Sequence, residues 1–244
     1  IGKAKTVALP PGFGGAFEAG WELRIGELPR HQIVEVQFLG ISKRREEVAP
    51  WFGTFIAVCA FAGLRKGEAS ALKVSDISFI KRELKVERQV QWTDTGEMEI
   101  RPPKYGSERT IDIPDELVTI ISEYVRLWLP GDDQDRWLFP GARDTSKPAH
   151  SATVGRWWRK ISTLVGFDYR LHDCRHFFAS GLIAAGCDVV TVQRALGHSA
   201  ASITLDVYGH LWPDSRDRTR QAAAGLIDQA FGRTADALRT EGQI

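Results

Sequence analysis

The chain has 244 residues, 43% hydrophobic and 26% charged, with 32 Lys+Arg against 31 Asp+Glu. That length can bury a sizeable core as one large domain or two small ones, and the net charge of +1 excludes a histone-like basic protein. It does not exclude nucleic acid, which needs a basic face rather than a basic total.

Residues 1–40 open on a Gly/Pro-rich stretch, followed by two alternating segments, Trp21–Ile25 and Val34–Phe38, whose period of two predicts strands. Residues 45–62 read as a buried helix: Glu46 and Glu47 suit its start, Pro50 fits the first turn, and Trp51, Phe52, Phe55, Ile56, Val58, Cys59 and Phe61 leave almost no polar face. Gly63 can stop it, and a short helix over Glu68–Leu72 follows. Between 83 and 113 the period changes. Leu84 to Trp92, Glu97 to Arg101 and Thr110 to Ile113 predict a small antiparallel three-stranded sheet, with Thr93-Asp-Thr-Gly96 as a hairpin turn and Lys104 in the exposed connection after it. Helices are predicted over 114–128, 151–165, 171–185, 188–196 and 200–208, with an amphipathic tail over 214–238. The fold class is therefore α+β, mainly helical. The window 156–176 carries Arg156, Arg159, Lys160, Arg170 and Arg175 against Asp168 and Asp173, a local basic excess.

The apolar run Phe55–Leu64 is too short to span a bilayer, and no signal-peptide pattern is visible at the start. Cys59, Cys174 and Cys187 are an odd set at irregular spacing, so a reducing cytoplasm is expected rather than a disulfide framework. There is no phosphate-binding glycine loop, no dinucleotide fingerprint and no paired C-x-x-C.

Several residues could carry chemistry. His172 and Arg175 stand three apart in a helical stretch and could touch one anion, or simply pair with Asp173 or Asp168. His172 and His176 have the spacing of two metal ligands, but the Glu of H-E-x-x-H is absent and no metal site is expected. Arg65, just beyond the helix stop, could reach a ligand with Glu68 orienting it, or merely pair with Glu68. His198 follows Gly197 at a helix junction, and Tyr208 precedes Gly209; alone, Tyr208 reads as a core residue with a satisfied hydroxyl.

The order of these pieces changes their weight. Gly63-Leu-Arg65-x-x-Glu68, then Lys104 with Ser107 and Arg109, then His172-x-x-Arg175, Leu196-Gly-His198 and Tyr208 resembles the tyrosine recombinases, the phage-integrase family. The surrounding words match too: Pro103-Lys-Tyr-Gly-Ser-Glu-Arg109, His172-Asp-Cys-Arg-His176, Ala195-Leu-Gly-His-Ser199 and Thr204-Leu-Asp-Val-Tyr208. The likeness runs from about Glu46 to about Ala224 and is greatest to integrases of actinobacterial mobile elements. On this resemblance, residues 46–244 would be a catalytic domain with a C-terminal tail helix. Residues 1–45 would be an atypical segment in place of the family's helical core-binding domain, as in a truncated, excised or rearranged chain.

The resemblance implies strand exchange on double-stranded DNA attachment sites through a 3′-phosphotyrosyl link. Tyr208 would be the nucleophile and His172 the base; Arg65 and Arg175 would hold the phosphate; His198 would donate to it; Lys104 would protonate the leaving oxygen; Glu68 would orient arginine. Neither metal nor ATP would be required. The chain would be mostly monomeric alone and tetrameric on DNA, with accessory bending or directionality factors as further partners. Type IB topoisomerases use a similar residue set, and a DNA-binding remnant without recombination is the other alternative.

Overall fold

The computed structural model describes residues 49–95, 97–166, 168–212 and 216–240, with side chains given for all of these except 165, 216–218 and 232–240. The strands expected before residue 40, and Glu46 and Glu47, lie outside the described residues. The chain divides after Tyr208 into two units.

Helix α1 (Pro50–Phe61) is the centre of the first unit. Pro50 sits in its first turn, where a missing N–H costs nothing, and Phe52 together with every residue from Thr54 to Ala60 is buried, round nearly the whole circumference. A helix apolar on every side must be wrapped. It packs against α3 (Asp115–Trp128) and α5 (Asp173–Ala184), and its Phe52 and Phe55 join Phe139 and Trp157 in a ring cluster. Helix α1 ends at Ala62, and Gly63 turns the chain with φ +65.

That glycine is required twice over. Its backbone is left-handed, and a Cβ there would lie 2.4 Å from Cδ1 of Phe178. Gly63→Ala is expected to destabilise the unit by about 2 kcal/mol or more and to lower Tm by several degrees in thermal unfolding.

After Gly63 come α2 (Lys66–Ser70), β1 (Ile77–Ser78), β2 (Glu83–Val86), β3 (Gln89–Trp92), β4 (Met98–Arg101) and β5 (Arg109–Asp112). The alternating run 83–92, expected as one strand, is two. β2 pairs with β1 and β5 in an antiparallel sheet of order β1-β2-β5, with Leu84 opposite Ile111, whereas β3 pairs with β4 in a separate hairpin. The break falls at Arg88, whose guanidinium turns back to the buried Asp76 at 2.7 and 2.9 Å. Strand β3 then runs against α2, so closely that a Cβ on Gly67 would lie 2.8 Å from the Val90 carbonyl. The two-residue β1 has no sequence signal and was not expected. The hairpin is thus laid beside Arg65.

Helices α4 (Ser151–Val165), α6 (Val189–Leu196) and α7 (Ala201–Tyr208) fall where the sequence predicts them. Asp188 caps α6 by accepting from Val190 and Thr191, and Gly197 closes it in the left-handed region. In the second unit, α8 (Arg216–Thr240) exposes Leu226, Ile227 and Phe231. Among the described residues no helix is long and apolar enough to cross a membrane.

Candidate active site

The site is built on Glu68. This carboxylate is fully buried in the first turn of α2 and has two arginines as partners. Arg65 donates to Oε1 at 2.7 Å and, through its backbone N–H, to Oε2 at 3.0 Å; Arg109 donates to Oε2 at 2.9 Å. Burial pushes the Glu68 pKa up, but hydrogen bonding and charge from Arg109, then Arg65, more than offset it and hold the carboxyl below its usual range. Glu68 is therefore an ionised anchor that fixes the Arg65 fork.

Arg109 was present in the sequence motif but carried no role of its own. It links β5 to the α6–α7 corner: its Nε donates to the Ala195 carbonyl at 3.0 Å, and it packs so tightly on Gly197 that a Cβ there would meet Nη1 at 2.8 Å. One buried ion cluster thus joins the turn that carries Arg65 to the turn that carries His198.

Arg175 sits deeper. It is 2% exposed and donates to the carbonyls of Gly63, at 2.7 Å, and Leu196. Burial and then the charge of Arg65 push its pKa down to about 9, which leaves it a cation at neutral pH. Two of its five N–H groups are engaged in this way, so it ties the end of α1 to the end of α6 and keeps donors for an anion.

His198 hangs on the closing turn of α6, where its own N–H donates to the Gln193 carbonyl and its carbonyl accepts from the Gln193 side chain, both at 3.0 Å. Its Nδ1 is 2.9 Å from Oγ1 of the buried Thr204. Burial, then Arg175 and Arg65, push its pKa down to about 4, so the ring is neutral at pH 7. If the threonine hydroxyl donates to Nδ1, the ring proton sits on Nε2 and is available to a ligand.

Lys104 stands in a 3₁₀ turn (Lys104–Gly106) between the two sheets, exposed, where Tyr105 and Gly106 both take left-handed backbone. With Arg65 and His172 it lines an open cleft of about 530 Å³, whose wall also includes Lys66, Trp92 and Ser151. His172 stands at the N-cap position of α5 without a side-chain capping bond and lines the cleft, while Arg175 one turn on is buried.

Tyr208 ends α7. It is 4% exposed, and burial pushes its pKa up to about 12, with Arg175 and Arg65 pulling the other way. Its hydroxyl is 2.7 Å from Nδ1 of His176, not of the expected base His172. The His172 ring stands edge-on to His176 at 5.0 Å. His176 and Thr204 are contacts that the sequence reading did not identify as functional. The word Arg175-His176 and the four-residue step from Thr204 to Tyr208 are the signals that could have pointed to them.

The folded-state pKa values of His198, His172 and His176 all lie below the ordinary 6.5. Stability linked to them is complete above pH 6.5 and is lost as pH falls toward about 4, because the unfolded chain takes up the protons first. Glu68 acts in the same direction at lower pH. Tm is expected to fall across that window, and His198→Gln should flatten the decline; a Tm rising on acidification would contradict the assignment.

The phage integrase family matches residues 35–214, and the chain belongs to that family. The chain is 30% identical over 177 residues to the ICEBs1 integrase of Bacillus subtilis, covering 68% of this chain and 46% of that one. It is 33% identical over 143 residues to the tyrosine recombinase XerA of Pyrococcus furiosus, covering 58% and 44%. The fold is similar to that of the Tn1549 transposon integrase, with a TM-score of 0.64 at 19% identity over 91% of this chain and 66% of that one. The chain spans about half the length of the curated relatives it matches.

Proposed function

We propose that this chain supplies the catalytic domain of a site-specific DNA recombinase, an enzyme that cleaves and rejoins duplex DNA through a 3′-phosphotyrosyl intermediate. The observation that carries the reading is that Arg65 belongs both to a cleft with Lys104 and His172 and to the charges acting on Tyr208. Arg65, Lys104 and His172 line a single cleft, and the charges of Arg65 and Arg175 act on both Tyr208 and His198. That grouping suits a phosphodiester. The Tyr208 oxygen attacks phosphorus, the bond to the 5′-oxygen breaks, and the ester keeps the bond energy for rejoining. Arg65 and Arg175 hold the non-bridging oxygens as charge builds in the pentavalent transition state, His198 donates to the same group, an imidazole of the His172–His176 pair takes the phenol proton, and Lys104 protonates the departing 5′-oxygen. The arginines supply positive charge and the neutral histidines donors, so the proposed step calls for no metal, and the energy kept in the ester removes the need for ATP.

The relatives support recombination over topoisomerase-like relaxation, since they are integrases and recombinases. The similar Tn1549 integrase was solved in complex with transposon right end DNA, which supports attachment-site DNA as the partner. The protein would act in the cytoplasm, with DNA-bending or directionality factors as accessory partners.

The experiment is covalent capture. Wild-type protein is incubated with a library of nicked duplexes randomised around the nick, so that a cleaved end diffuses away and the adduct is trapped. Protein-linked DNA surviving denaturation, enriched for one sequence, is the expected outcome. Non-covalent binding alone would favour a DNA-binding remnant.

The tail extends the proposal. Helix α8 has exposed Leu226, Ile227 and Phe231, an apolar group suited to docking on a neighbouring protomer in a DNA-bound tetramer. Deleting the residues after Asp214 is expected to impair pairing of two DNA sites more than binding to one, as read by native gel shift. A truncated chain that unfolds or loses single-site binding would assign the helix to its own core instead.

A further inference from the structure

We propose that His176, rather than His172, accepts the Tyr208 proton as the phenol attacks DNA. The inference rests on the recombinase reading above and adds a catalytic residue to it. His176 touches the reacting atom: its Nδ1 lies 2.7 Å from the Tyr208 hydroxyl, and the two rings are 5.6 Å apart between centroids. His172 is one helical turn earlier, and its ring lies edge-on against His176 while lining the cleft with Arg65 and Lys104. The two imidazoles are thus divided in place: one on the nucleophile, one at the phosphate.

Burial holds the His176 pKa below its ordinary value, so the ring is neutral at pH 7 and Nδ1 can accept from the phenol while Nε2 carries the ring proton. The phenol is a weak acid here, and the transfer is uphill before attack. Attack reverses the balance. As the oxygen bonds to phosphorus its proton becomes acidic, and the approaching phosphate places negative charge near the ring and favours the imidazolium. The step is closed in atoms and charge. The phenolic O–H bond breaks, the proton goes to Nδ1, the oxygen–phosphorus bond forms, and the bond to the 5′-oxygen breaks with a proton from Lys104. Rejoining runs it backward: the 5′-hydroxyl returns its proton to Lys104, and His176 returns the other to the departing phenol.

The test is single-turnover cleavage of the duplex recovered by covalent capture, with wild type, His176→Asn and His176→Ala in the full chain. Asn keeps an acceptor near the Nδ1 position but cannot take the proton, so it separates holding the phenol from deprotonating it. Both variants are expected to cleave about 10²-fold or more slowly while DNA affinity and Tm stay near wild type. Added imidazole should partly restore His176→Ala. A substrate with sulfur in place of the bridging 5′-oxygen should rescue Lys104→Ala, which lacks the acid, and leave both His176 variants slow. His176→Asn cleaving within about threefold of wild type would overturn the proposal, as would sulfur rescue of the His176 variants. Absence of any adduct from wild type would instead overturn the recombinase reading beneath it.

Discussion

Tyr208→Phe is expected to fold, to bind DNA as the parent does and to form no covalent adduct. The substitution removes one hydroxyl and its hydrogen bond to His176 and leaves the ring packing of a buried side chain intact. The stability cost is about 1 kcal/mol, too little to unfold the unit, so lost adduct cannot be ascribed to lost structure. The chemical cost is total, because no neighbouring group can replace the oxygen that bonds to phosphorus. Adduct formed by the variant at undiminished yield would remove Tyr208 from the reaction.

The second large effect separates the two arginines. Arg65→Ala and Arg175→Ala should each slow cleavage by about 10²–10³-fold, the usual cost of a lost charged contact to a transition state. Lysine should rescue neither, since an ammonium cannot reproduce the planar fork. Their stabilities should differ. The Arg65 side chain is 22% exposed and borders the cleft, so its loss leaves Glu68 with Arg109 and costs little in Tm. Arg175 is buried and holds the Gly63 and Leu196 carbonyls, which Ala would strand. Arg175→Ala should therefore lower Tm markedly while Arg65→Ala does not. Cleavage near the parental rate with Lys at both positions would make these residues structural.

The helices were readable because burial writes itself into the sequence with a period. Residues 151–165 alternate faces cleanly, with a cap at His150 and a left-handed stop at Gly166, and the observed bounds coincide with the expected ones. Helix α1 was readable for the opposite reason, a lack of any polar face. The sheet was less legible. The apolar series Leu84, Val86, Val90, Trp92 is interrupted at Arg88, but one polar residue at an inward position does not say that the chain leaves one sheet for another; that depends on the long-range pairing of Arg88 with Asp76.

The site divides in the same way. The grouping of Arg65, Lys104 and His172 on one cleft and the influence of the Arg175 charge on Tyr208 follow the order of the sequence words. The contacts of His176, Thr204 and Arg109 do not, because each spans elements whose relative positions only the fold sets. In the sequence, His176 stands at the i, i+4 spacing of a metal-ligand pair with His172. That spacing fits a ring pair on one helix face equally well.

The most direct test of the central claim is the chemistry of the captured adduct. Duplex labelled separately on each side of the nick is cleaved by wild-type protein, the adduct is digested with protease, and the DNA-linked peptide is sequenced by mass spectrometry. The peptide is expected to contain Tyr208, esterified to a 3′-phosphate, with a free 5′-hydroxyl on the released strand. A link through any other residue, or through a 5′-phosphate, would contradict it.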